Sequence, residues 1–178
     1  KDNISKFEGD INVDLSGNTI DNLVGDVFVK HATYHNTKAT YSINEFYINS
    51  AFDQNRVRTI TVNSGDIVDG VVVGKFYFNQ LQKLVTNSLG SLYENYKPIK
   101  VNKGQFLKFD FTIHNKIIEI FYPEVSIATN TVVKGTINSD NQEFKLNFNS
   151  PKITASDNTF DNIRVKVDNK NPLYNAFI

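Results

Sequence analysis

The stretch Leu107-Lys108-Phe109-Asp110-Phe111-Thr112-Ile113 alternates apolar and polar side chains without a break. Because successive side chains of a β-strand point to opposite faces, this order predicts a strand with one apolar and one polar face. The same alternation recurs in Phe7 to Leu15, Phe144 to Phe148 and Ile163 to Val167. We therefore expect an all-β protein whose apolar side chains gather on one face.

Turn-forming residues separate these segments at short intervals, as in Asn63-Ser64-Gly65-Asp66 and Ser139-Asp140-Asn141. Counting the runs between such turns predicts about eleven strands. The order strand, turn, strand is typical of an antiparallel meander and excludes an alternating α/β fold. We expect one segment over residues 1–178, with strands in 6–78 and 99–168 and one helix between them.

The helix is predicted over residues 80–96, where apolar side chains recur at spacings of three and four. Asn79 is the expected cap, with Gln82 reaching back to it, and Pro98 is the expected stop. The helix could cover the outer face over Val71 and Val73, the position that we favour, or lie as a plug on the inner face. Its predicted apolar face comprises Leu81, Leu84, Val85, Leu89, Leu92 and Tyr96.

Composition excludes several classes of function. The chain has no cysteine and a net charge of zero, so it offers no disulfide framework and no field that attracts nucleic acid. No apolar run is long enough for a transmembrane helix, and any membrane anchor is expected outside this chain. Since methionine is absent, Lys1 is not expected to be a native start, and the chain is expected to be a fragment of a longer polypeptide.

Residues with catalytic chemistry are sparse. His31, His35 and His114 are the three histidines, and no closely spaced carboxylate completes a metal site around them. The chain contains no Gly-x-Ser-x-Gly turn, and Gly70 and Gly74 flank valines inside a strand rather than a phosphate-binding loop. We therefore expect no catalytic residues, no metal, no cofactor and no enzymatic activity.

The apolar wall itself is the candidate site. Two such faces could close on each other as the core of a β-sandwich. Alternatively, a strand of ten residues spans about 33 Å, and bent into a U it gives walls about half as high as the ~30 Å hydrocarbon core of a bilayer. Gly9, Gly70, Gly74 and Gly135 are the expected bend points. The expected lining of a lipid groove is Phe7, Ile11, Val13, Leu15, Val72, Phe76, Phe78, Leu107, Phe109, Phe111, Ile113, Phe144, Leu146, Phe148, Ile163, Val165 and Val167.

Four segments, in their order and spacing, resemble the TamB proteins of Bacteroidota, the translocation and assembly module family related to AsmA and to bridge-like lipid-transfer proteins. These segments are 70–98, Phe109 to Asn115, Pro123 to Ile127 and Asp168 to Tyr174. The resemblance implies a periplasmic β-sheet rod, U-shaped in section (a β-taco), in a Gram-negative bacterium. The full-length protein would be anchored in the inner membrane and would reach a TamA- or BamA-type barrel in the outer membrane through other parts of the chain.

The resemblance also implies a function. The apolar groove would hold or conduct phospholipid, or another acyl-chain lipid, between the two membranes and so support outer-membrane biogenesis. Two alternatives stay open from the residues. One is a chaperone-like segment that receives outer-membrane strands by β-augmentation, and the other is a closed β-sandwich that binds glycan.

Overall fold

The computed structural model describes residues 5–36 and 39–170 and the backbone of residues 175–177. The end of the segment from Asp168 to Tyr174 therefore lies outside the described residues. The strands are β1 (Lys6–Ser16), β2 (Val24–His35), β3 (Thr40–Phe52), β4 (Arg58–Asn63), β5 (Val68–Lys75), β6 (Phe106–Ile113), β7 (Val125–Ile127), β8 (Thr131–Asn138), β9 (Glu143–Ala155), β10 (Asn158–Asp168) and β11 (Asn175–Phe177). The helices are α1 (Phe78–Gly90) and α2 (Asn115–Phe121), and a 3-10 turn covers Ile20–Asn22.

All eleven strands belong to one sheet, in the order β1-β2-β3-β4-β5-β6-β8-β9-β10-β11, with β7 paired to β9. Every pairing is antiparallel. The sheet is curled and not closed, which confirms the predicted all-β meander. We call the end at which β5 ends and β6 begins the lower end, and the opposite end the upper end.

Cross-strand register places the alternating apolar side chains predicted as lining residues on one face. Val72 lies opposite both Ile60 and Phe109, and Phe109 lies opposite Gly135, so these residues share a face. Following the register across the sheet puts every predicted lining residue that lies in a strand on this face. Phe76 follows the end of β5 and packs against the buried cluster of the same face, whereas Phe78 lies in α1. The prediction that β5 continues through Phe78 is wrong, because the strand ends at Lys75 and Phe78 begins α1.

Two of the in-strand glycines make room for aromatic rings. A side chain at Gly135 would collide with the Phe109 ring, and one at Gly70 with the Phe111 ring. Such pairs let a Phe cover backbone that glycine leaves bare. Gly9 instead lies at the break in register between Glu8 and Asp10.

Among the described residues, no second sheet packs on this sheet. Eight apolar residues of the described chain are buried, and the accessible surface is 11746 Å². A compact protein of this mass would expose about 8,800 Å². The closed β-sandwich is therefore wrong as a description of the fold.

Helix α1 lies on the apolar face, not on the outer face that we favoured from the sequence. Its Leu84 is buried against Leu107, Ile137 and Phe144, which belong to that face. The helix does not take the outer position, because on the apolar face Leu84 packs against three large apolar side chains.

The bounds and the apolar face of α1 also differ from the prediction. Its N-cap is Tyr77 without a side-chain cap, and the helix ends at Gly90, against which the Tyr96 ring packs. Leu81 and Leu92 join Leu84 in packing against the sheet, whereas Val85 is 44% and Leu89 48% exposed. No described helix is long and apolar enough to span a bilayer.

Two leucines of α1 test this arrangement. We expect Leu84→Ala to lower the free energy of unfolding by about 2–5 kcal/mol, because it leaves a cavity in the buried cluster. The matched change Leu89→Ala should cost less than about 1 kcal/mol, because that side chain is half exposed. Urea unfolding of both variants measures the difference, and equal losses would contradict the docking of α1.

Candidate apolar binding face

The apolar face is organised in rows that cross the strands. We name three rows from the register of directly opposite residues. The central row is Val13, Val27, Ile48, Val62, Gly70, Phe111, Val133, Phe148 and Val165. The second row, nearer the lower end, is Leu15, Gly25, Ser50, Ile60, Val72, Phe109, Gly135, Leu146 and Val167. The lower row is Phe52, Arg58, Gly74, Leu107, Ile137 and Phe144.

The central row carries no polar side chain over nine strands. A row of this kind offers an unbroken apolar strip whose length follows from the strand spacing. At about 4.8 Å per strand, eight steps give a strip of about 38 Å. This strip is the most extended apolar feature of the face.

The β1 side of the face is open. Four alternate side chains of β1 are exposed, namely Phe7 (49%), Ile11 (56%), Val13 (57%) and Leu15 (38%). The sequence predicted all four as lining residues. Because β1 is the first strand in the sheet order, its outer edge pairs with no described strand. Both the face and the edge are therefore accessible here.

Helix α1 covers the lower margin of the same face. Its cluster takes Leu107, Ile137 and Phe144 from the lower row, with Val72 and Phe109 of the second row partly buried beside them. The residues of the central row do not belong to this cluster. The helix therefore borders the strip and does not fill it.

Polar bonds between distant parts of the chain fix α1 at both ends. The Phe78 N–H donates to Asp21 Oδ1 at 2.8 Å, and the Tyr77 N–H donates to Gln105 Oε1 at 3.0 Å. Near the other end, Asn169 Nδ2 donates to Ser91 Oγ at 2.8 Å. These bonds hold the helix at the margin.

Helix α2 and β7 extend the upper end. The Tyr41 hydroxyl donates to the Glu119 carbonyl at 3.1 Å, and Lys116 Nζ donates to the Ser42 carbonyl at 2.7 Å, which ties α2 to β3. β7 pairs with the last residues of β9. β7 therefore adds a short strand to the sheet beyond the upper end of β8.

One ion pair and one histidine–carboxylate contact, both half-buried, support this upper end. Lys116 pairs with Asp66, and His114 Nε2 lies 2.6 Å from Asp69 Oδ2. Asp69 Oδ1 also accepts the Ser64 and Gly65 N–H groups at 2.8 and 3.0 Å. His114 is thereby placed in a structural contact that its sequence position did not reveal. His31, by contrast, is exposed beside Asp10.

Arg58 is the functional candidate that the sequence analysis missed. It occupies the apolar phase of β4, two residues before Ile60, and its side chain is buried. A cation in the apolar phase of an alternating strand was the available signal.

Comparison of the chain with family models, with curated proteins and with solved structures finds no match.

The carboxylates of Asp66 and Asp69 predict an acid-sensitive upper end. Burial raises both pKa values, but hydrogen bonds outweigh burial: from Lys116 and Ser64 on Asp66, and from Gly65 N–H and His114 on Asp69. Both pKa values therefore lie below the ordinary value. A group with a lowered folded-state pKa contributes stability above its unfolded value of about 3.9, and this is lost as pH falls through the folded pKa.

We expect the free energy of unfolding to fall as pH drops from about 5 to below 3.9, and to fall less steeply in Asp69→Asn. Asp14→Asn, at an exposed position of β1, is the control and should keep the wild-type slope. Urea unfolding across this pH range gives the slopes. A wild-type slope in Asp69→Asn would contradict the assignment.

Proposed function

We propose that this chain is a non-enzymatic lipid-holding segment whose apolar face receives the acyl chains of a phospholipid. The observation that carries the proposal is the central row, which runs across nine strands with no polar side chain. One leaflet's tail spans about half of the ~30 Å hydrocarbon core, so the strip is long enough to hold a tail lengthwise. The open β1 side gives a tail lateral access.

The opposite face of the sheet suits a protein that works in water. Lys134 Nζ lies 2.8 Å from Asp110 Oδ2, and Lys145 Nζ lies 2.7 Å from Glu143 Oε1, on the face away from the apolar rows. A one-sided sheet with ion pairs outside and an apolar strip inside separates a lipid tail from solvent. This separation supports the holding or transport of a lipid rather than an enzymatic reaction.

We further propose that the chain is one periplasmic stretch of a TamB-like rod, with its inner-membrane anchor and its outer-membrane barrel partner engaged by other parts of the polypeptide. Two observations support this: the order of the segments that resemble the family, and the single curled sheet with one apolar face. In this setting the sheet would pass or hold phospholipid between the membranes and support outer-membrane biogenesis.

A second function is favoured by the edge of β1. This edge is eleven residues long, unpaired among the described residues, and carries exposed Ile11 and Val13. An exposed edge of this kind can accept a strand from another chain. The chaperone-like alternative, which receives outer-membrane strands by β-augmentation, rests on this edge.

Photo-crosslinking from adjacent positions of β1 separates these functions. A photoreactive residue at Val13 projects from the apolar face, and one at Asn12 projects from the polar face. After incubation of the protein with phospholipid vesicles, we expect lipid-mass adducts from position 13 and none from position 12. In cells, protein adducts without lipid adducts from position 13 would favour the second function, and absence of both would contradict both.

A charge on the strip should weaken lipid binding. We expect Val13→Asp to lower the affinity for a short-chain phospholipid about tenfold, because a carboxylate would be desolvated under the acyl chain. Folding should change little, since Val13 is exposed. Asn12→Asp adds the same charge to the other face and should bind like wild type. Calorimetric titration compares them, and equal weakening by both changes would contradict a site on the apolar face.

A further inference from the structure

Arg58 is a buried cation within an apolar row. Its side chain belongs to the lower row, opposite Phe52 and Gly74, and the residue is only 3% exposed. The other members of the three rows are uncharged. A charge in this position needs a physical reason.

Two aromatic rings and two carbonyls hold the guanidinium. Its carbon lies 4.6 Å from the Phe52 ring centroid and 5.1 Å from that of Phe78. One terminal nitrogen donates to the Ile20 carbonyl at 3.1 Å and the other to the Leu23 carbonyl at 3.3 Å. The group is therefore fixed in place, with donors still unused in its plane.

The charge of Arg58 has no close counter-ion. Among the described residues no carboxylate lies within 4.0 Å of its guanidinium nitrogens. The Asp21 carboxylate attracts the Arg58 charge from a greater distance, and its Oδ1 already accepts the Phe78 N–H. A buried charge without a partner is costly. A bound anion would remove that cost.

The surroundings of Arg58 form an open, positively charged cleft of about 760 Å³. Arg56, Lys75 and Lys103 line it together with Arg58, against the two carboxylates of Asp21 and Asp53. No fully buried side-chain nitrogen of the described residues lacks a hydrogen-bond partner. The Arg58 Nε has no hydrogen-bond partner among these residues, so it is not fully buried and its N–H remains unused as a donor.

We infer that this cleft binds a phosphate group, and that the phosphate belongs to the phospholipid whose tails lie on the apolar face. This inference rests on the proposed function. The planar guanidinium matches two phosphate oxygens, and Lys75 and Lys103 add positive charge at the mouth of the cleft. Arg58 lies two residues along β4 from Ile60, about 7 Å from the second row. A phosphate in the cleft thus leaves its tails beside the apolar rows.

Titration with three ligands tests the inference: dihexanoyl phosphatidic acid below its micelle concentration, dihexanoylglycerol, and inorganic phosphate. The variants are Lys75→Glu and Lys103→Glu, both exposed and lining the cleft, with Lys108→Glu as the control on the polar face of β6. We expect each cleft variant to weaken phosphatidic acid binding about tenfold. Lys108→Glu should not weaken it, and dihexanoylglycerol should bind all proteins alike.

The outcomes separate the inference from the function that it extends. Equal affinity for the two lipids, or equal weakening by Lys75→Glu and Lys108→Glu, would overturn the phosphate site while leaving lipid binding in place. If neither lipid binds but inorganic phosphate does, and Lys75→Glu abolishes that binding, the cleft is a site for free phosphate and the lipid function fails. Absence of binding by all three ligands would overturn both.

Discussion

The arrangement of this molecule depends on one register that holds from β1 to β10. It puts the three apolar rows on the same face of a single sheet, and no second sheet among the described residues covers them. Apolar surface on this face is therefore buried only by smaller elements, chiefly α1. Leu84 of α1 seals Leu107, Ile137 and Phe144 at the lower margin, and most of the remaining face stays partly accessible.

Close pairing of phenylalanine with glycine helps to fix that register. Phe109 lies over Gly135 and Phe111 over Gly70, so a slip would press each ring against a side chain. A shift by one residue would also turn the apolar set to the opposite face. The continuity of the central row, on which lipid holding rests, is therefore a consequence of these local pairs.

Alternation and turn residues were sufficient to predict most of the strands, their antiparallel order and a shared apolar face, because both are local features of the sequence. Helix α2 (Asn115–Phe121) was not predicted, since its residues were expected to lie in strands. The details of α1 were not predictable in this way. Its start depends on an Asp21 carboxylate 57 positions away in sequence, and its end depends on the Tyr96 ring. Which leucines of α1 are buried depends on the shape of the sheet beneath them. No local pattern carries that information.

Arg58 shows the complementary case, in which a departure from alternation is the informative signal. A cation at an apolar position of β4 indicates that its surroundings are specialised. The sequence could not show which residues form them, because the two rings and two carbonyls that hold the guanidinium come from three other parts of the chain: Phe52, Phe78, and Ile20 with Leu23. The proposed phosphate cleft contains Arg58 and lies next to the apolar rows. Tails and head group would then be recognised by adjacent parts of one surface.

The most direct test of lipid holding uses neighbouring valines of β5 as reporters. Val72 belongs to the second row, whereas Val71 and Val73 point to the opposite face. With methyl-labelled valines and a short-chain phospholipid that carries a nitroxide near the end of its tail, the account predicts broadening of the Val72 and Val13 methyl signals and sharp Val71 and Val73 signals. Equal broadening on both faces, or none on either, would contradict it.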